Sequence, residues 1–157
     1  MRALSLAASA MLFAAGHAAA AEPPSTPSAS LASLSGAMRY ASSPWLHHAM
    51  LDVGTNPTGW KRQWCARSLN MWLKRSGMKG CGSDAAISCL EAGRKLSEPQ
   101  IGALAVMAHH VGIVKDIGNS GSVTLVSGNN AGRPGARKVG VSKYRRGRIL
   151  AFIWPEQ

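Results

Sequence analysis

Gln63-Trp64-Cys65-Ala66-Arg67-Ser68-Leu69-Asn70-Met71-Trp72-Leu73-Lys74-Arg75-Ser76-Gly77 is the stretch that sets how the rest of this chain is read. Ala66, Leu69, Trp72 and Leu73 recur at helical spacing, so the pattern predicts a helix over 63–76 with one apolar face. Lys74 and Arg75 suit the negative end of its dipole, and Gly77 stands where a helix C-terminus wants a left-handed residue. Cys65 falls in the first turn. There the unpaired backbone N–H groups and the dipole favour a thiolate, which makes Cys65 a candidate nucleophile.

Upstream, Gly54-Thr55-Asn56-Pro57-Thr58-Gly59 reads as a loop that delivers Trp60 to the helix. Before it, Ser43-Pro44-Trp45 starts a helix, with Ser43 placed to cap it and Pro44 at the first helical position, where its missing N–H costs nothing. Trp45, Ala49 and Leu51 are expected to face inward. Residues 22–42, rich in Ser, Ala and Pro, read as a flexible linker, with a short helix conceivable over 31–39. Residues 1–21 read as an export signal: Arg2, an apolar run over 3–15, then Ala18 to Ala21 for the peptidase. The run is shorter than the roughly 20 residues of a permanent membrane helix. The expected product is a periplasmic or secreted domain over 43–157, with no stable membrane insertion once the signal is removed.

Downstream, Ser83-Asp84 opens a second, shorter helix expected to run to Gly93. After Pro99 come short β-rich runs: 102–107, 110–115, 122–127 and 148–154. The second and third are separated by turn formers over 116–121, which predicts a hairpin. Helices followed by closely spaced strands imply an α+β domain with an antiparallel sheet.

Lys and Arg number 18 against seven acidic residues, a formal charge of +11, one of which (Arg2) leaves with the signal. Such a charge draws the protein to anionic polymers, and export argues against nucleic acid among them. Three cysteines in an oxidising compartment cannot all pair within the chain. Cys81 and Cys89, close in sequence, are the expected bridge, provided their Cα atoms lie within about 7 Å. Cys65 is then left free.

Cysteine catalysis needs a base beside the thiol and a polar group to orient that base. His110, at the opening of a predicted strand, is the candidate base. Asn129, just after the next strand, is the candidate orienter, with His109 and Asn130 as the neighbours that contend for these roles. Strand alternation would send His109 to the opposite face from His110.

A cysteine on a helix N-terminus followed by His and a polar residue on a sheet is the papain-like order. Trp64-Cys65-Ala66, Leu69-Asn70-Met71-Trp72-Leu73, His110-Val111-Gly112-Ile113-Val114 and Ser127-Gly128-Asn129-Asn130 resemble the hallmark runs of the CHAP-like and NlpC-like cysteine peptidase/amidase superfamily. The resemblance spans roughly 44–155. It implies hydrolysis of peptidoglycan amide bonds without a cofactor, with Cys65 as nucleophile, His110 as base and then acid, and Asn129 as orienter. The chain departs from the pattern at Asn130, where Gln is common, at His109, where a small residue is commoner, and at Cys81 and Cys89, which are not part of the hallmark.

Blander readings stand beside these. A lone cysteine is commonly a small buried hydrophobe. Trp60, in the loop, and Trp64 are candidates to line a substrate groove, although tryptophans beside a helix start are more often core. The paired histidines His47-His48 and His109-His110 lack zinc-motif spacing, so no metal is expected. The basic run over 133–148 reads as a solvated loop and strand face, or as an attraction to wall polymers. The alternative function is a catalytically silent wall-binding module of the same fold.

Overall fold

The computed structural model describes residues 43–119 and 121–157. The export signal, the linker and the short helix over 31–39 lie outside the described residues.

The first helix, α1, spans Pro44–Leu51, with Ser43 at its N-cap and Pro44 in its first turn. Trp45, Leu46 and Ala49 are buried, and Leu51 is 67% exposed. The expectation for Leu51 fails for a geometric reason: positions 45, 46 and 49 share one face of a 3.6-residue turn, and 51 lies well off it. The second helix, α2, spans Cys65–Arg75. It starts two residues later than the pattern predicts, because Gln63 has φ +52°, a left-handed conformation that helical backbone excludes. It ends at Gly77, φ +70°, with Met78 N–H on the Leu73 carbonyl and Gly77 N–H on the Lys74 carbonyl. Those two bonds satisfy carbonyls that a helix end otherwise leaves unpaired. Asp52 ties the helices together by accepting from Trp72 Nε1 at 2.7 Å and Arg75 at 3.4 Å.

The expected helix from Ser83 is instead a 3₁₀ segment over Ala86–Glu91. Ser83 Oγ accepts from the Ala85 N–H and pairs with Ser88 Oγ, so the first turn is taken up by local side-chain bonds that compete with an α-helix. Cys81 and Cys89 are joined by a disulfide across this loop, Cα to Cα 4.2 Å. α2 holds the loop from the other side: Asn70 accepts from the Cys81 N–H and donates to the Ser83 carbonyl, and Arg67 pairs with Asp84 at 2.5 Å.

Six strands follow: β1 Gly93–Leu96, β2 Leu104–Val106, β3 Val111–Ile117, β4 Ser122–Ala131, β5 Lys138–Arg145 and β6 Ala151–Pro155. They form one sheet in the order β1-β6-β2-β3-β4-β5, and every pairing is antiparallel. The molecule is thus an α+β fold with its cysteine-bearing helix packed on an antiparallel sheet. Leu104, Val106, Val111, Ile113, Val126 and Ile153 join the core beneath α1 and α2, while Ala105, Val114, Leu125 and Phe152 fill a second core on the opposite face. This is the two-sided burial that alternation along a strand produces. β4 runs four residues beyond its expected end at 127. Its register with β5 breaks between Ser127 and Ala131, so Gly128, Asn129 and Asn130 form an irregular step inside the strand. No helix among the described residues is long and apolar enough to cross a membrane.

Candidate active site

Cys65 is 5% exposed at the first residue of α2. That end of the helix has no side-chain cap and no acidic residue in its first turn. The sulfur fills the gap, taking backbone N–H bonds from Cys65 and Ala66 and, across the core, from Val111. Burial pushes the thiol pKa up, and the three amides pull the other way without overcoming it. The resting group is a neutral thiol held by donors that favour its anion.

Val111 follows His110, so the amide on the sulfur and the imidazole belong to neighbouring residues. His110 is not within a strand. Met107 N–H bonds to the His110 carbonyl across a tight turn between β2 and β3, and His109 stands exposed at that turn. The two histidines are separated by the turn and not, as expected, by strand alternation. His110 Nε2 lies 2.9 Å from Ser127 Oγ on β4. Gly112 permits this approach, since a Cβ there would come within 2.9 Å of Ser127 Cβ and 3.0 Å of the Val126 carbonyl.

Tyr144 of β5 stacks on the imidazole, with centroids 5.9 Å apart and planes 24° from parallel. Its hydroxyl donates to Asn130 Oδ1 at 3.3 Å and lies within hydrogen-bond reach of Ser127. Asn130 is committed to the scaffold, accepting also from Ser142 and donating to the Gly140 carbonyl. Burial, reinforced by the charges of Arg148 and Arg137, lowers His110 to about 4. The imidazole is therefore neutral at pH 7 and able to accept a proton. Tyr144 is shifted up, chiefly by burial.

A cleft of about 590 Å³ opens beside the sulfur, bordered by Cys65, His109, Asn129, Gln63 and Trp60, with Asp84 to Ile87 of the disulfide loop as one wall. Trp60 is half exposed there, and Arg67 stacks on its ring at 4.1 Å. Trp64 is fully buried. It belongs to the core and cannot line a groove, because its ring packs under Gly128. Asn129, at φ +55°, borders the cleft, and the hydrogen-bond partner of His110 is Ser127, not Asn129. Ser127 and Tyr144 escaped sequence reasoning. Strand parity was the available signal for Ser127, which shares a face with Asn129 in any regular strand; Tyr144 had none. Among the described residues, no group of three or more His, Cys, Asp or Glu is arranged to hold a metal ion.

No protein-family model matches the chain, and no curated protein does. Among solved structures, the fold is similar to the crystal structure of a wild type endolysin, LysIME-EF1, with a TM-score of 0.53 at 14% identity. The match covers 71% of this chain and 62% of the endolysin's. At that identity the likeness is one of fold.

Proposed function

We propose that this protein is an exported cysteine hydrolase that cleaves amide bonds in peptidoglycan, working in the periplasm or outside the cell. The observation that carries the reading is the single cluster of a helix-start thiol, an amide from the residue after His110, and an imidazole held by Ser127 and Tyr144. The endolysin-like fold and the basic charge agree with it.

The resting pair is neutral, so the reaction starts by general-base transfer. His110 takes the Cys65 proton as sulfur attacks the carbonyl carbon, and the backbone amides that favour a thiolate lower the cost. Collapse of the tetrahedral intermediate breaks the C–N bond, His110 returns the proton to the leaving nitrogen, and a thioester remains. Water then attacks with His110 again as base, releasing the acid and restoring the thiol. In this reading Ser127 orients the imidazole, in the role sequence reasoning gave to Asn129, and Asn129 faces substrate from the cleft border. No cofactor takes part.

The test is mass spectrometry of fragments released from purified sacculi by the full chain and its Cys65→Ala variant. Soluble peptide-bearing fragments are expected from the first alone, and equal release by both overturns the mechanism. The burial of Cys65 favours one rival, the silent wall-binding module. That rival predicts sedimentation with sacculi by both proteins and release by neither.

A further inference from the structure

Ser127 is fully buried, and its hydroxyl meets both His110 Nε2, at 2.9 Å, and the hydroxyl of Tyr144. Its one proton can go to only one of them, and the choice decides which nitrogen of His110 is left bare. A backbone carbonyl further along the network settles the choice. Asn130 Nδ2 donates to the Gly140 carbonyl at 3.1 Å, and because that carbonyl can only accept, the amide cannot turn over. Asn130 Oδ1 is therefore the end that faces the hydroxyls of Ser142 and Tyr144, each at 3.3 Å. Oδ1 has no proton to give, so Tyr144 donates to it. The Tyr144 oxygen then offers its lone pairs to Ser127, a contact of the kind that favours the phenolate, which is donation from Ser127. Ser127 Oγ, its proton committed, is left to accept from His110 Nε2–H. The reverse order would spend the Tyr144 proton on Ser127 and set bare phenol oxygen against bare Oδ1.

The fold builds this sequence of donors at the irregular step in β4. The register with β5 breaks between Ser127 and Ala131, and within that break the Asn130 side chain bonds to β5. Gly140 is the register partner of Ser127, and a Cβ on it would come within 2.6 Å of Ala131 Cβ. The two strands close on each other here because residue 140 is glycine. The Tyr144 ring is held as well, stacked on the imidazole with Arg148 5.6 Å from its centroid.

Taking His110 as the base of the proposed hydrolase, we infer that Tyr144 and Asn130 are positioning residues that fix the Nε2–H tautomer of His110 through Ser127. Nδ1 then keeps its lone pair and is the nitrogen that takes the Cys65 proton. Tyr144 and Asn130 act through the imidazole and touch none of the reacting atoms. Without the Tyr144 hydroxyl, Ser127 is free to donate to Nε2. That draws the lone pair to Nε2 and puts the ring proton on Nδ1, where it blocks proton transfer from the thiol.

The test is nitrogen-15 NMR of the histidine rings in the full chain at pH 7, where protonated and bare ring nitrogens have well-separated shifts. The His110 signals are those that His110→Gln removes. The expected spectrum has Nε2 protonated and Nδ1 bare. A proton on Nδ1, or an even mixture, overturns the proposal with no substitution in the network. Tyr144→Phe keeps the stacked ring and removes the hydroxyl. It is expected to move the His110 signals toward the Nδ1–H form and to lower kcat on soluble wall fragments about tenfold at unchanged KM. Ser142→Ala takes the other donor from Asn130 Oδ1, leaves the relay whole and is expected to retain the Nε2–H signals. A Tyr144→Phe spectrum like that of the unmodified chain overturns the role of Tyr144, as does an equal shift in Ser142→Ala. Cys65-dependent release by a protein whose His110 carries Nδ1–H removes the relay and leaves the hydrolase standing. A fixed Nε2–H tautomer without Cys65-dependent release removes the hydrolase and leaves the relay.

Discussion

Mild acid should destabilise this fold through His110 in particular. Its imidazole falls from an ordinary 6.5 to about 4 on folding, because burial and two arginines oppose its charge. The unfolded chain therefore binds the proton more readily across that interval. The stability contributed by keeping the ring neutral is fully present above pH 6.5 and is lost as pH falls toward 4. At about 1.4 kcal/mol per pH unit the whole effect is on the order of 3 kcal/mol, of which about 2 kcal/mol disappears between pH 7 and pH 5. Against a total stability of about 5–15 kcal/mol, that is a readable fraction. The assay is urea unfolding of the full chain at several pH values, alongside His110→Gln, which keeps a polar group near Ser127 and does not titrate. Other acids and histidines titrate in both proteins, so the difference between the two curves isolates His110. The unmodified protein should lose about 2 kcal/mol more than the variant over this range. Parallel curves would refute the assignment of a half-buried, neutral imidazole.

Three further outcomes follow from the same contacts. Ser127→Ala leaves His110 Nε2 without its partner and should lower kcat roughly tenfold, since a lost orienting bond is worth about 1–3 kcal/mol; single-turnover kinetics on released wall peptides would show it. Gly128→Ala would drive a Cβ into Ser68 Oγ and to within 2.6 Å of the Trp64 ring, so a loss of about 1–3 kcal/mol from overpacking is expected in thermal unfolding. Paired Cys81→Ser and Cys89→Ser substitutions open a loop of eight-residue separation and should lower the urea midpoint by the equivalent of about 2–3 kcal/mol, with iodoacetamide labelling of Cys65 reporting whether the cleft wall has loosened.

What the sequence made legible was whatever a local pattern encodes. The apolar spacing from Ala66 to Leu73 and the stop at Gly77 marked α2 to within two residues. Ser43-Pro44 marked α1, and the turn formers around Gly118 marked the β3–β4 hairpin. Cys65 was found because it begins a helix, and His110 because it immediately precedes a strand. What escaped depends on contacts remote in sequence. β1 was hidden because Gly93 looked like a helix stop, and its strand character comes from pairing with β6. The step at 128–130 exists only against β5, and it takes Asn129 to the cleft and leaves Ser127 on the imidazole. Tyr144 lies in a basic run that composition alone assigns to solvent, and its stacking on His110 follows from sheet order.

That order bears on how the chain folds. β6, the last strand in sequence, lies between β1 and β2 in the interior of the sheet. Until residues 151–155 are available, β1 has no hydrogen-bonding partner in the sheet and β2 lacks its second. A chain made or threaded from its N-terminus thus holds an open seam until residues 151–155 arrive. Closure then joins segments about sixty residues apart, as in Arg94 with Trp154. Non-local pairing of this kind slows folding and leaves strand edges exposed meanwhile. Deleting residues 151–155 would remove the keystone of the sheet, although none of Cys65, His110, Ser127 and Tyr144 lies within them.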